Sequence, residues 1–394
     1  MKKNNKTPKL RFSGYTDDWE QRKVGDFLTE SRIRGNTGLD AKKLTVKLWG
    51  KGVVEKNDFG GSEHTQYFTR RKGQFIYSKL DFLNSAFGVI PEKLDNYEST
   101  ADLPAFDLDG MNPYFMYFVA IQESFYLKHG SIADGSRKAK RIHADTFLNM
   151  PVMVPTIDEQ NLIVDFVQHL DNIITLYQCK LEKIQNMKKS CLQKMFPKDG
   201  ATVPEIRFSE FQGDWEERTL GSCFDERLES LPDGELLSVT IGSGIKKFSE
   251  LDRHDNSNAD KSKYKRVCIG DIAYNSMRMW QGASGRSPYE GIVSPAYTVV
   301  KPIGDIDTQF FAYMFKKKEI IHLFEINSQG LTSDTWNLKY PAFSKIVVRV
   351  PRNVEEQSRI ARFLLELDEL ISCTEQEIEI TKRMKKGCLQ KMFV

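Results

Sequence analysis

Residues 159–196 read EQNLIVDFVQHLDNIITLYQCKLEKIQNMKKSCLQKMF, and residues 356–393 read EQSRIARFLLELDELISCTEQEIEITKRMKKGCLQKMF. The two align without a gap at an offset of 197, with 17 of 38 positions identical and a shared CLQKMF at the end. In the first copy Ile163, Leu170, Tyr177, Ile184 and Cys191 recur every seven residues. Val167, Ile174, Leu181 and Met195 interleave, and Lys188 breaks the series. So narrow an apolar stripe predicts a helix that meets a partner helix rather than a broad core. The second copy carries the stripe on Ile360, Leu364, Leu367, Ile371, Ile378 and Met392, weakened at Thr374 and Thr381. Pro155 and Thr156 mark the first helix's start, with Glu159 placed as in a capping box. About 38 residues make a rod of roughly 57 Å. Matching length and sequence favour packing of the two helices on each other, antiparallel if a pseudo-two-fold axis crosses them. The alternative is two long helices lying on separate cores.

A second repeat lies upstream of each helix. Pro8–Gly25 reads PKLRFSGYTDDWEQRKVG and Pro204–Gly221 reads PEIRFSEFQGDWEERTLG, identical at nine of 18 positions. A period near 197 is far too long for a solenoid and implies tandem duplication of a whole module. The expected organisation is a globule at 1–155, a long helix at 156–197, a second globule at 198–350 and a second helix at 351–394. Within the globules Gln74–Tyr77, Asp271–Tyr274, Ala296–Val300 and Ile346–Val350 read as strands. Pro113–Ser124 and Thr308–Phe324 read as helices. The fold class is therefore α+β.

Bulk properties limit the function classes. A chain of 394 residues calls for two or three domains, and 40% hydrophobic content with 11% aromatics supplies real cores. The net charge is only +3, with 29 Lys+Arg against 24 Asp+Glu up to residue 197 and 28 against 30 after it. Any nucleic-acid contact must therefore rest on local patches. Six cysteines without a CxxC pair read as reduced thiols, and no stretch approaches 18 apolar residues, so a cytoplasmic protein is expected.

Catalytic equipment is missing from the sequence. Gly242–Lys247 (GSGIKK) lacks the spacing and hydroxyl of a phosphate-binding loop. No HExxH or Cys/His cluster suggests a metal, and the six histidines are scattered. Asn112-Pro113-Tyr114-Phe115 and Ser294-Pro295-Ala296-Tyr297 resemble the loop by which amino-methyltransferases hold a flipped base. Both lack the second proline, and neither accompanies a strand–glycine-loop–helix. They read instead as a helix start and a strand start. No catalytic residue, metal or cofactor is assigned to this chain.

Basic clusters do occur in the globules. Arg70, Arg71 and Lys72 precede a strand, and Arg137, Lys138, Lys140 and Arg141 lie in a loop. Residues 246–286 hold nine Lys+Arg against five Asp+Glu, among them Lys246, Lys247, Lys263, Lys265, Arg266, Arg278 and Arg286. Lysines suit phosphates, whereas Arg, Asn and Gln read base edges. Asn275, Arg278, Trp280, Gln281 and Arg286 mix these types with glycines that allow close approach. The bland alternative is a solvated face.

Taken together the strings resemble those of the specificity subunits of Type I restriction–modification systems. The resemblance covers essentially the whole chain. It rests on LRFSGYTDDWEQRKVGD and IRFSEFQGDWEERTLGS, on KGQFIYSKLDFLNSAFGVIP with YESTADLPAFDL, and on IGDIAYNSMRMWQGASG with GIVSPAYTVVKP. The P-x(3–4)-EQ helix starts, each ending in CLQKMF, complete it. The resemblance implies two target-recognition domains, each reading half of a bipartite DNA site, and an antiparallel coiled coil setting the gap. It also implies two methyltransferase subunits docked on the chain, with restriction/translocase subunits joining them. S-adenosylmethionine, ATP and Mg are then expected on those partner subunits. Thr100–Phe106 (TADLPAF) departs from the SPAY-like string, so no contact is carried between copies there. A non-catalytic coiled-coil scaffold joining proteins is the rival class.

Overall fold

Each long helix starts on one tryptophan-bearing string and ends on the other. The computed structural model describes residues 6–38, 40–56, 62–131, 141–198, 200–242, 244–252, 254, 257, 260–332 and 335–394. It divides into two units, Met1–Gln178 with Gln376–Val394, and Cys179–Glu375. The helices Ile157–Lys194 and Val354–Lys391, 38 residues each, contribute one half to either unit.

In the first unit a strand pair, Glu20–Lys23 with Pro151–Val154, leads into the first long helix. A four-stranded antiparallel sheet runs in the order Leu28–Ser31, Ala105–Leu108, Phe75–Tyr77, Phe87–Val89. Its core is aromatic: Phe75, Tyr77, Phe82, Phe87, Phe106 and Phe147 are almost fully buried. A hairpin, Leu44–Val46 with Val53–Glu55, lies against the edge strand, and it can do so because Gly88 has no side chain. A Cβ there would sit 2.6 Å from Val53 Cγ2.

The second unit repeats this plan. Glu216–Thr219 pairs with Val347–Val350, and the four-stranded order is Phe224–Glu226, Tyr297–Pro302, Ile272–Asn275, Ser284–Arg286. Its hairpin, Leu237–Thr240 with Gly244–Lys247, approaches at Gly285, where a Cβ would meet Gly244 Cα at 2.8 Å. The strands thus fall where the sequence predicts. The helices at 113–124 and 308–324 do not run through. Each is two short helices, Pro113–Ala120 with Glu123–Gly130 and Thr308–Met314 with Lys318–Ile326, broken by the extended residues Gln122 and Lys317.

The repeated strings are joints. Arg11 forks onto Glu159 at 2.7 and 2.8 Å, and Arg207 forks onto Glu356 at 2.8 Å twice. Gln160 donates to Pro155 O and accepts from Asn112 N. Gln357 does the same with Pro351 O and Asp307 N. Asn112 Oδ1 caps the helix at Pro113, so the methyltransferase-like NPYF string is a helix start. Thr156 Oγ1 accepts from Glu159 N, but the Glu159 carboxylate turns to Arg11, leaving the capping box half made.

In the first unit the two helix segments run antiparallel. Near the start of the first helix Phe12 packs edge-on to Phe166, while Phe393, just past the end of the second helix, meets Trp19 and Phe115. Farther along, Lys385 bonds both carboxylate oxygens of Asp171 at 2.6 Å. In the second unit Phe196 packs on Trp215 and Phe310, and Trp215 Nε1 donates to Glu356 near the start of the second helix. Lys188 pairs there with Asp368, again antiparallel. The seam residues Ile163, Val167, Leu170, Ile184, Ile360, Leu364, Leu367 and Ile378 are buried, and Ile174, Leu181 and Ile371 half-buried. Thr374 and Thr381 are buried too, each hydroxyl donating to the carbonyl four residues back, which removes the polar cost the sequence suggested.

Candidate nucleic-acid interface

Arg70 is a correction to the sequence reading. It is 2% exposed, and its guanidinium donates to Ser99 Oγ, Ser31 O and Leu103 O, tying strands together rather than facing a ligand. Burial pulls it down to about 10. Its neighbours are exposed, but Arg71 donates to Asn96 Oδ1 and Lys72 pairs with Glu92 at 2.7 Å. Arg141 lies 3.7 Å from Asp102. Arg137, Lys138 and Lys140 lie outside the described residues.

In the second unit the basic run splits into three places. Lys265 pairs with Glu226, and Arg266 is held between Glu229 and Glu290, so both brace strands. Exposed Lys246 and half-buried Lys247 sit on the hairpin, the latter 5.3 Å from the Tyr289 ring centre. Exposed Lys263 and half-buried Asn275 line a cavity of about 730 Å³ with His254, Tyr264 and the Ser294–Tyr297 string, where Tyr297 starts a strand.

Beyond Asn275 the chain turns through the single helical turn Met279–Gln281. Arg278 is exposed there, reaching Gln281 at 3.4 Å, and Trp280 donates to Met277 O. Trp280 packs edge-on against Trp336, 5.3 Å away. Sequence reasoning missed Trp336, whose signal was an aromatic ring in a Gly/Ser/Thr loop. Arg286 does not join this group. Its strand partner is Ile272, at the far end of the strand pair from the turn, and its Nε donates to Thr308 Oγ1.

Lys316, also unforeseen, holds this surface in shape. Its ammonium donates to Ile241 O on the hairpin tip and to Gly282 O and Ser284 O beside the turn, at 2.7–3.2 Å. Burial lowers it to about 8. Among the described residues no cluster of His, Cys, Asp and Glu could hold a metal ion. Among them, too, no helix is long and apolar enough to cross a membrane.

Comparison with known proteins agrees with this geometry. No family model matches the chain. The Type I restriction enzyme MjaVIII specificity subunit of Methanocaldococcus jannaschii is 22% identical over a 428-residue alignment, covering 94% of this chain and 91% of that protein. The Type I S subunit of M. genitalium has the same fold, with a TM-score of 0.57 at 15% identity over 98% of this chain and 99% of that one. The HsdS subunit of Thermoanaerobacter tengcongensis gives 0.53 at 14% identity, covering 97% and 98%. The repeated strings, the end-to-end fold and the curated relative agree: over nearly its whole length the chain is similar to specificity subunits of Type I restriction–modification systems and shares their fold.

Proposed function

We propose that this chain reads double-stranded DNA for a Type I restriction–modification complex acting in the cytoplasm and carries no chemistry itself. The globules at 1–155 and 198–350 each take one half of a bipartite site. The helices at 156–197 and 351–394 set the gap and dock two methyltransferase subunits, with restriction/translocase subunits joining for cleavage. S-adenosylmethionine, ATP and Mg belong to those partners.

One observation carries the reading: equivalent backbone positions bear unlike side chains. The turn Phe82–Asn84 in the first unit corresponds, at an offset of 197, to Met279–Gln281 in the second. The hairpin tips are equally unlike, exposed Trp49 in one and exposed Ile241 in the other. A framework held constant while its outward residues diverge suits two different half-sites. A protein scaffold has no need of it.

Methylome sequencing of cells expressing this chain with its methyltransferase tests the proposal. The expected outcome is a bipartite, asymmetric motif. Replacing residues 198–350 by another family member's second globule should alter one half of that motif only. A swap that changes both halves, or neither, removes the two-reader scheme.

A further inference from the structure

The sequence around the first hairpin is unusually basic. Residues 41–54, AKKLTVKLWGKGVV, hold four lysines and no carboxylate. Lys47, Leu48, Trp49 and Lys51 at the tip are all exposed, Trp49 by 61%. Among the described residues no carboxylate pairs with Lys47 or Lys51. Trp49 also adopts φ +60°, a left-handed conformation that is strained for a bulky L-residue. The fold thus keeps a strained tryptophan in water, where burial gives nothing back.

The tip is nonetheless firmly held. Trp49 N donates to Asn84 O, Gly50 N to Ser85 O and Lys47 N to Gly52 O, each at 2.8 Å. The Tyr117 hydroxyl donates to Gly50 O at 2.6 Å. Ile121 stands against Gly50, and the glycine contact at Gly88 seats the returning strand. The ring is therefore presented by fixed backbone, at little further entropic cost on binding.

We propose that the tip Lys47–Lys51 is an aromatic wedge for double-stranded DNA, Trp49 packing on bases of the first half-site and Lys47 and Lys51 meeting the flanking phosphates. The inference rests on the DNA-reading role proposed above. An aromatic face between two exposed cations, neither paired with a carboxylate among the described residues, matches a base stack flanked by phosphates. The equivalent tip in the second unit carries Ile241, 51% exposed and tied down by Lys316, which offers no aromatic face. The wedge is thus a property of one half-site alone.

The test uses the complex of the full chain with its methyltransferase subunits. Its probes are a labelled duplex bearing the motif found by methylome sequencing and a random-sequence duplex. Trp49→Ala should weaken binding to the motif by about tenfold, and Trp49→Phe should keep most of it. Lys47→Gln with Lys51→Gln should flatten the slope of log affinity against log salt by about 2. Trp49→Gly removes the ring and the strain together, so affinity should fall while the thermal midpoint holds or rises. Motif affinity unchanged in Trp49→Ala overturns the wedge while leaving DNA reading intact. A wild-type complex that binds neither duplex overturns DNA reading itself, and the wedge with it.

Discussion

Glu356 and Glu159 occupy equivalent positions and both take an arginine fork, yet their surroundings differ by one hydrogen bond. Glu356 also accepts from Trp215 Nε1 at 3.1 Å, whereas Trp19 Nε1 in the first unit is buried without a partner among the described residues. Removing either carboxylate takes the fork from a half-buried guanidinium that keeps only backbone carbonyl acceptors, a loss of about 2 kcal/mol. Glu356→Ala additionally orphans an indole, at about 1 kcal/mol more. Thermal unfolding of the two variants should therefore show the lower midpoint for Glu356→Ala, and equal midpoints would mean that the indole bond contributes nothing. At this scale the sequence is only partly legible. Arg11 and Arg207 declare themselves by repetition. Arg70, in the run Arg70-Arg71-Lys72, reads as a surface cation because linear charge says nothing of the serine hydroxyl and carbonyls that fold around it. Trp49 was passed over for the opposite reason, since a lone tryptophan reads as core until a hairpin turns it outward.

The long helices were legible as elements because a seven-residue stripe needs no knowledge of the partner. What the stripe hides is register. Asp171 pairs with Lys385, and Lys188 with Asp368. At the repeat offset of 197, Asp171 corresponds to Asp368 and Lys188 to Lys385, so one ion pair is the copy of the other. The break at Lys188, which reads as a flaw in the stripe, is a polar pin lying 5.6 Å from the Tyr313 ring centre, with the Tyr313 hydroxyl donating to the same carboxylate. Residues 214 positions apart give no local signal of such pairing. Asp171→Lys should destabilise the first unit by bringing two ammonium groups together, and adding Lys385→Asp should restore most of the loss. A double-mutant cycle on urea unfolding should show about 1 kcal/mol of coupling. No coupling would reduce the pair to a bystander of the apolar contacts.

At the scale of the molecule, residues 1–197 contain every part that one unit needs. The globule and the start of its helix are present. So is the CLQKMF end, which in the intact chain serves Trp215 but matches the sequence that serves Trp19. Asp171 and Lys188 are both present as well, so two copies could form the ion pair twice. The fragment should associate as a two-fold dimer, detectable by light scattering at micromolar concentration. With methyltransferase added it should select a palindromic site. A monomer, or selection of an asymmetric site, would show that the two helices are not interchangeable.

The second helix, which starts on one unit and finishes on the other, also sets an order in time. Residues 179–375 form one unbroken stretch, so their unit has all its parts before residue 376 is added by the ribosome. The unit begun first must wait for residues 376–394, and until they arrive Trp19 and Phe115 lack the Phe393 ring that packs on them. The globule translated first is the one completed last, and the nascent chain must carry its open apolar site through the synthesis of its sister.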